Sequence, residues 1–169
     1  MRRRPTLPLD EWRIATHLEA TRSVQGHPRS PATGCDCLCC RNWRLVAQET
    51  LPSPLQQQLL RFGIALERPS EAYASEQIEH GAHCRVTYHV VGKLLSGPAV
   101  VREAPGLGRV VDYKVLREQP SHLSLAVLPS RDTFDLGPAL DDPSAGDVLQ
   151  LDFRLYVRRH LSLSGAGSL

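Results

Sequence analysis

The chain has 169 residues, 41% of them hydrophobic and 22% charged, with 20 basic against 18 acidic side chains and a net charge of +2. That length suits one domain able to bury its own core and leaves two full domains cramped. So even a charge balance names no polyanionic partner, and aromatics at 5% are too sparse to interleave with Lys or Arg along a stacking groove, so nucleic-acid binding is not expected.

The chain opens on Met1-Arg2-Arg3-Arg4, but Pro5 to Trp12, with Asp10 and Glu11, supply no apolar run of the kind that forms a signal-peptide core. Residues 1–11 therefore read as a flexible basic N-terminus. No stretch approaches the ~20 apolar residues that span a bilayer. The odd cysteine count, with Cys84 far from the other four, fits reduced thiols, and a cytoplasmic location without membrane association is the expectation.

From Trp12 to Leu18 apolar and polar positions alternate, which predicts a strand. Gly26, His27, Pro28, Ser30, Pro31 and Gly34 then form an irregular lead into Cys35-Asp36-Cys37-Leu38-Cys39-Cys40. Good helix formers with Leu38, Trp43, Leu45, Val46 and Ala47 predict a helix over roughly 36–49. A second helix is signalled by Ser53 at an N-cap position, Pro54 in the first turn, the stripe Leu55, Leu59, Leu60 and Phe62, and a stop at Gly63.

After Pro69 the texture changes to strands: 71–76, 83–95, 109–117, 122–128 and 148–158. The last is the strongest, because Leu149, Leu151, Phe153, Leu155 and Val157 take every second place against Gln150, Asp152, Arg154, Tyr156 and Arg158. Such alternation predicts an antiparallel sheet with one wet face. Residues 104–108 and 129–146 read as loops, and the Gly- and Ser-rich 162–169 as a flexible tail. The expected fold is α+β: a mainly antiparallel β-sheet or sandwich over residues 12–161, with a short two-helix insertion in the N-terminal third and a cysteine-rich zinc knuckle at 26–45.

Four of the five cysteines fall within six residues. Relaxed disulfides want Cα atoms roughly 5–6 Å apart with a specific twist, so neighbours this close are poor partners for one another and suit a metal better. Cys35, Cys37 and Cys40, as Cys-x-Cys-x-x-Cys, can face one zinc ion, whereas Cys39 diverges from Cys40 and is expected to face the core. His27 is the first choice for a fourth ligand, with Cys84 and His17 as alternatives, since thiolate and neutral imidazole both suit zinc. The spacing fits neither common ferredoxin run, and the loop acids Asp132, Asp135, Asp141, Asp142 and Asp147 lack EF-hand order. A Cys-x-x-Cys within the cluster raises thiol redox chemistry, but it follows a Pro- and Gly-rich loop rather than a strand of a parallel unit.

No nucleophile, base and oxyanion donor assemble in the sequence, so the expected role is a zinc-stabilised accessory protein that binds a protein partner through Arg41, Asn42 and Trp43. The alternative is an enzyme using the ion or a thiol at Cys35, Cys37 and Cys40.

Cys35-Asp36-Cys37 with Cys40-Arg41-Asn42-Trp43, the later Leu60-x-x-Phe-Gly63-Ile64, Tyr88-His89-Val90-Val91-Gly92 and Leu149-Gln150-Leu151-Asp152-Phe153 resemble a family of small uncharacterised bacterial proteins marked by Cys-Asp-Cys-x-x-Cys-Arg-Asn. The resemblance spans roughly residues 12–157. It implies that Cys35, Cys37 and Cys40 act together and that Cys39 occupies a variable position, and it implies no activity. Val157-Arg158-Arg159-His160-Leu161 departs from the aromatic, apolar ending of that pattern.

Overall fold

A computed structural model describes residues 4–25, 35–133, 137–140 and 142–160. His27 and the rest of the 26–34 lead, Asp135, Asp141 and the 162–169 tail lie outside the described residues.

The strands are β1 (Thr6–Leu9), β2 (Trp12–Thr16), β3 (Glu71–Ile78), β4 (Gly81–Ser96), β5 (Val101–Ala104), β6 (Gly108–Val111), β7 (Lys114–Arg117), β8 (Leu123–Pro129) and β9 (Asp147–Arg158). The helices are α1 (Leu18–Gln25), α2 (Leu38–Thr50) and α3 (Ser53–Arg61). Among the described residues, seven strands form one antiparallel sheet in the order β1-β2-β4-β9-β8-β7, with β3 also on β4, while β5 and β6 make a separate hairpin. The sheet curls into a half-barrel.

β4 organises the sheet. One of its edges pairs with β9 throughout, from Gly81↔Arg158 to Gly92↔Asp147. The other is shared: β3 takes the residues up to Thr87, and β2 takes those from Gly92 on. At Gly92 a Cβ would lie 2.3 Å from the Ala15 carbonyl oxygen, so only glycine lets β2 approach. The curl brings the ends of the strand order together, for Lys114 of β7 pairs with Asp10 and Glu11 in the β1–β2 turn.

Helices α2 and α3 cover one face of this sheet. Trp43, Val46, Leu51, Leu55, Leu59 and Phe62 join Trp12, Ile14, Val86, Tyr88, Leu125, Leu151 and Phe153 in one buried cluster. At about 1.5–3 kcal/mol per fully buried large apolar side chain, this cluster is the main stabilising term. Helix α3 stops as its sequence suggests: Gly63 has φ +80°, and the Ile64 N–H donates back to the Leu59 carbonyl.

Five features differ from the sequence reading. Within the segment expected to be a flexible N-terminus, Thr6–Leu9 is an edge strand with Leu7 and Leu9 buried. The first predicted strand ends at Thr16, because His17 turns its Nδ1 to accept the Ala20 N–H and opens α1, a third helix beyond the expected pair. The strand predicted over 109–117 is two strands in different sheets, broken where the Asp112 N–H donates to the Val100 carbonyl. Residues 101–103, unassigned by pattern, and Ala104, read as loop, pair with the first of these.

The last difference concerns the face opposite the helices, which is not simply wet. Gln150 and Asp152 are fully buried there, and Asp152 accepts from Arg85 Nε and Nη2 at 2.9 and 2.6 Å, from the Tyr113 hydroxyl at 2.9 Å and from Gln150 Nε2 at 3.3 Å. Helix α1 covers more of this face, with the Thr21 hydroxyl accepting the Val91 N–H and Val24 packing against Val91. Burial, together with the Asp152 carboxylate, pushes the Tyr113 phenol up to about 12.

Candidate metal centre

The α2 N-terminus builds the site from consecutive residues. Cys37 is its N-cap, extended at φ −60° and ψ 155°, and its sulfur accepts the Cys40 N–H at 3.4 Å, so a thiol fills the role usually given to Ser or Asp. The first intrahelical bond, Arg41 N–H to the Cys37 carbonyl at 3.0 Å, then commits the chain to helix. One turn separates Cys37 from Cys40, which sets both on one side, and the extended residues before the cap bring Cys35 back to them. The three Sγ atoms lie within 4.8 Å of one another. This group can hold a metal ion.

Its surroundings fix it on two sides. Cys40 is buried and turns its thiol toward the Ala72 carbonyl of β3 at 3.6 Å. Arg44, a turn further along α2, donates from Nη1 to the Cys35 carbonyl at 3.1 Å and from Nη2 to Asp36 Oδ1 at 3.2 Å. The loop is thus braced from the helix it precedes. Cys37 is exposed and Cys35 half-buried.

The thiols are unequal in acidity. For Cys37, slight burial works to raise the pKa, but the Cys40 amide, the Cys35 and Cys40 thiols and the Cys39 amide outweigh it and hold the group below its usual value. For Cys40, burial acts first, and donation to Cys37 and Cys35 together with their charge pushes it further up. A cation among the three sulfurs would remove that opposition, since thiolates bind metals only after losing their protons.

The other sequence candidates separate. His27 lies outside the described residues. Neither alternative fourth donor joins the triad: His17 caps α1 with its Nδ1, and Cys84, on β4, turns its thiol to the Ala82 carbonyl at 3.8 Å. Cys39 does turn from the triad toward the core, as adjacent side chains at a helix start must.

Of the residues read as partner contacts, Arg41 is exposed, but Asn42 and Trp43 are buried. Trp43 packs in the main cluster and donates its Nε1–H to the Leu66 carbonyl at 2.9 Å and to the Tyr88 hydroxyl at 3.1 Å. Asn42 donates to the Arg158 carbonyl at 2.9 Å and accepts the His160 N–H at 2.8 Å, tying α2 to the end of β9. Both face inward because α2 lays its 42, 43, 46 and 47 positions on the sheet.

Sequence reasoning missed the Arg44 brace and the approach of Cys39 and Cys84 to one shared cavity. Arg44 had one usable signal, a cation seven residues beyond the N-cap able to reach back over the first turns. The second joins residues on different elements and left no local mark.

Compared with protein-family models, with curated proteins and with solved structures, the chain matches none.

Proposed function

We propose that Cys35, Cys37 and Cys40 hold a structural zinc ion and that the knuckle so fixed presents the exposed start of α2 to a protein partner in the cytoplasm. The observation that carries this reading is the convergence of three Sγ atoms within 4.8 Å at a braced helix start. Zinc in closed sites takes four tetrahedral donors, commonly thiolates with an imidazole, and His27 is the proposed fourth. The bound ion fastens the loop to α2 and, through Cys40 beside Ala72, to the edge of β3. It serves as a staple rather than a reaction centre, because its ligands are tied to the packing of α2.

Arg41 is the proposed recognition residue, with Leu45, four residues on and 53% exposed, beside it on the same helical face. Asn42 and Trp43 support that face from below.

Elemental analysis of purified full-length protein tests the metal. The reading expects one zinc per chain, lost in each of Cys35→Ser, Cys37→Ser and Cys40→Ser with a lowered melting temperature, and retained in Cys39→Ser. Protein that neither carries zinc nor takes up zinc or cobalt refutes it. Zinc bound through the three thiols, with intact folding but lost turnover on replacing a ligand, would favour the enzymatic alternative. For the partner, a protein captured by the wild type must be lost both on Arg41→Glu and on zinc removal.

A further inference from the structure

The first turns of α2 do not close fully onto strands β3, β4 and β9. Where Leu38 and Trp43 face the sheet, the strands offer only the small Ala74 and Ala82, and a hollow remains with Val86 and Val157 in its wall. It gives about 60 Å³ to the centres of water-sized molecules. One water takes roughly 10–15 Å³ by that measure, so a guest of about four to six heavy atoms fits.

The polar groups at the hollow are unequal. Asn42 is committed, donating to the Arg158 carbonyl and accepting the His160 N–H. Arg159 is half-buried and lines the hollow two residues beyond Val157. Its Nη2 donates to Gln77 Oε1 at 3.2 Å, and among the described residues no carboxylate pairs with it. A guanidinium has five N–H donors in a fork that matches a carboxylate, so one neutral partner leaves most of that capacity unused.

We propose that this hollow binds a short-chain monocarboxylate of about butyrate size, its alkyl chain against the apolar wall and its carboxylate on Arg159. The wall favours a body without polar atoms, since each would lose water and gain no partner. The single cation favours one negative charge over two, and Gln77 holds the guanidinium in place for it. The site is separate from the three-thiol group and needs no metal.

Titration of the full-length protein with sodium butyrate, followed by the two tryptophan indole N–H signals in NMR, tests this. Trp43 lines the hollow, whereas Trp12 bonds the Pro98 carbonyl elsewhere, so the Trp43 signal should shift saturably and the Trp12 signal should not. Acetate, shorter by two methylenes, should bind roughly tenfold more weakly. Butyramide, which lacks the charge, should bind about tenfold more weakly or worse, and Arg159→Gln should weaken butyrate by a similar factor. Ala74→Leu, which fills the hollow, should abolish the shift. A Trp43 signal unmoved by butyrate, moved equally by sodium chloride at the same ionic strength, or moved equally by butyramide would overturn the proposal, as would undiminished binding to folded Arg159→Gln. The ligand comparisons use the wild type alone, so they decide the matter even where a variant fails to fold. Zinc content is not the readout, so failure of the metal reading leaves this result interpretable.

Discussion

Replacing Asp152 by alanine tests whether the second face of the sheet is held by a buried ion pair. Its side chain is 3% exposed and Arg85's is 19%, and the guanidinium straddles the carboxylate through Nε and Nη2 while Tyr113 and Gln150 donate to the same oxygens. Removing one partner of a buried pair costs about 3–5 kcal/mol, chiefly because the other charge stays desolvated. Arg85 keeps its 3.1 Å bond to the Tyr73 hydroxyl and some access to water, which puts the cost at the lower end, about 3 kcal/mol. Against a total stability of about 5–15 kcal/mol that is a large loss. Urea denaturation of Asp152→Ala, Arg85→Met and the double variant reads it directly. The midpoint should fall with little change in slope, since the unfolded surface is the same. The double variant should be less destabilised than the two single losses added together, by about 1–3 kcal/mol, because neither charge is then left facing an apolar neighbour. Additivity to within about 0.5 kcal/mol would show that the two side chains do not stabilise one another and would refute the reasoning.

Trp43→Ala should cost about 3–5 kcal/mol of stability, as expected of a large core side chain, whereas Trp43→Phe should cost only about 1–2, because Tyr88 still donates to the Leu66 carbonyl; a Trp43→Ala protein of wild-type stability would contradict the burial of α2. Gly92→Ala sets a methyl against the Ala15 carbonyl oxygen and should destabilise by about 3 kcal/mol or more, with loss of amide protection in β2 as the accompanying signal in hydrogen exchange. The Tyr113 phenol stays protonated in the fold to about pH 12 against roughly 10 in an unfolded chain. Its folded value is raised, so its contribution to stability is complete below about pH 10 and is lost as pH rises toward 12. Tyr113→Phe should flatten the fall in stability over that window, and an unchanged alkaline slope would count against the burial-plus-Asp152 cause. Cobalt titration should give thiolate-to-metal absorption in wild type and Cys39→Ser but weaker absorption in Cys37→Ser; equal weakening in Cys39→Ser would mean that the triad is not the donor set.

What could be read in the sequence was what is decided over a few residues. β9 and β4 announce themselves through alternation sustained over many positions, and α3 through its stripe and its glycine stop. The triad was legible for the same reason: Cys35, Cys37 and Cys40 are brought together by one cap and one helical turn, so spacing alone carries the geometry. β1 was lost because four residues interrupted by Pro8 are too few to establish a period, and they become a strand only because the turn at Asp10, at φ +50°, folds them onto β2. α1 was lost because its eight residues follow closely on a strand pattern that was carried two residues too far, to Leu18.

The polar face of β9 shows the deeper reason. Alternation says which side chains share a face, and it placed Gln150, Asp152 and Arg154 together correctly. It cannot say whether that face meets water, because the answer depends on Arg85 from β4 and Tyr113 from the segment before β7 arriving beside Asp152. A carboxylate with water as its only alternative partner is read as exposed; once a guanidinium and a phenol converge on it, burial becomes affordable. The same argument sorts the cysteines. Local spacing distinguishes Cys39 from the triad, but only the packing of α2 against the sheet brings it to the cavity that Cys84 also lines. One helix start therefore carries thiols placed in two ways, a triad set by the chain's own turn and Cys39 set beside the same cavity as Cys84 by the fold, and a change that loosens α2 from the sheet should disturb the second before the first.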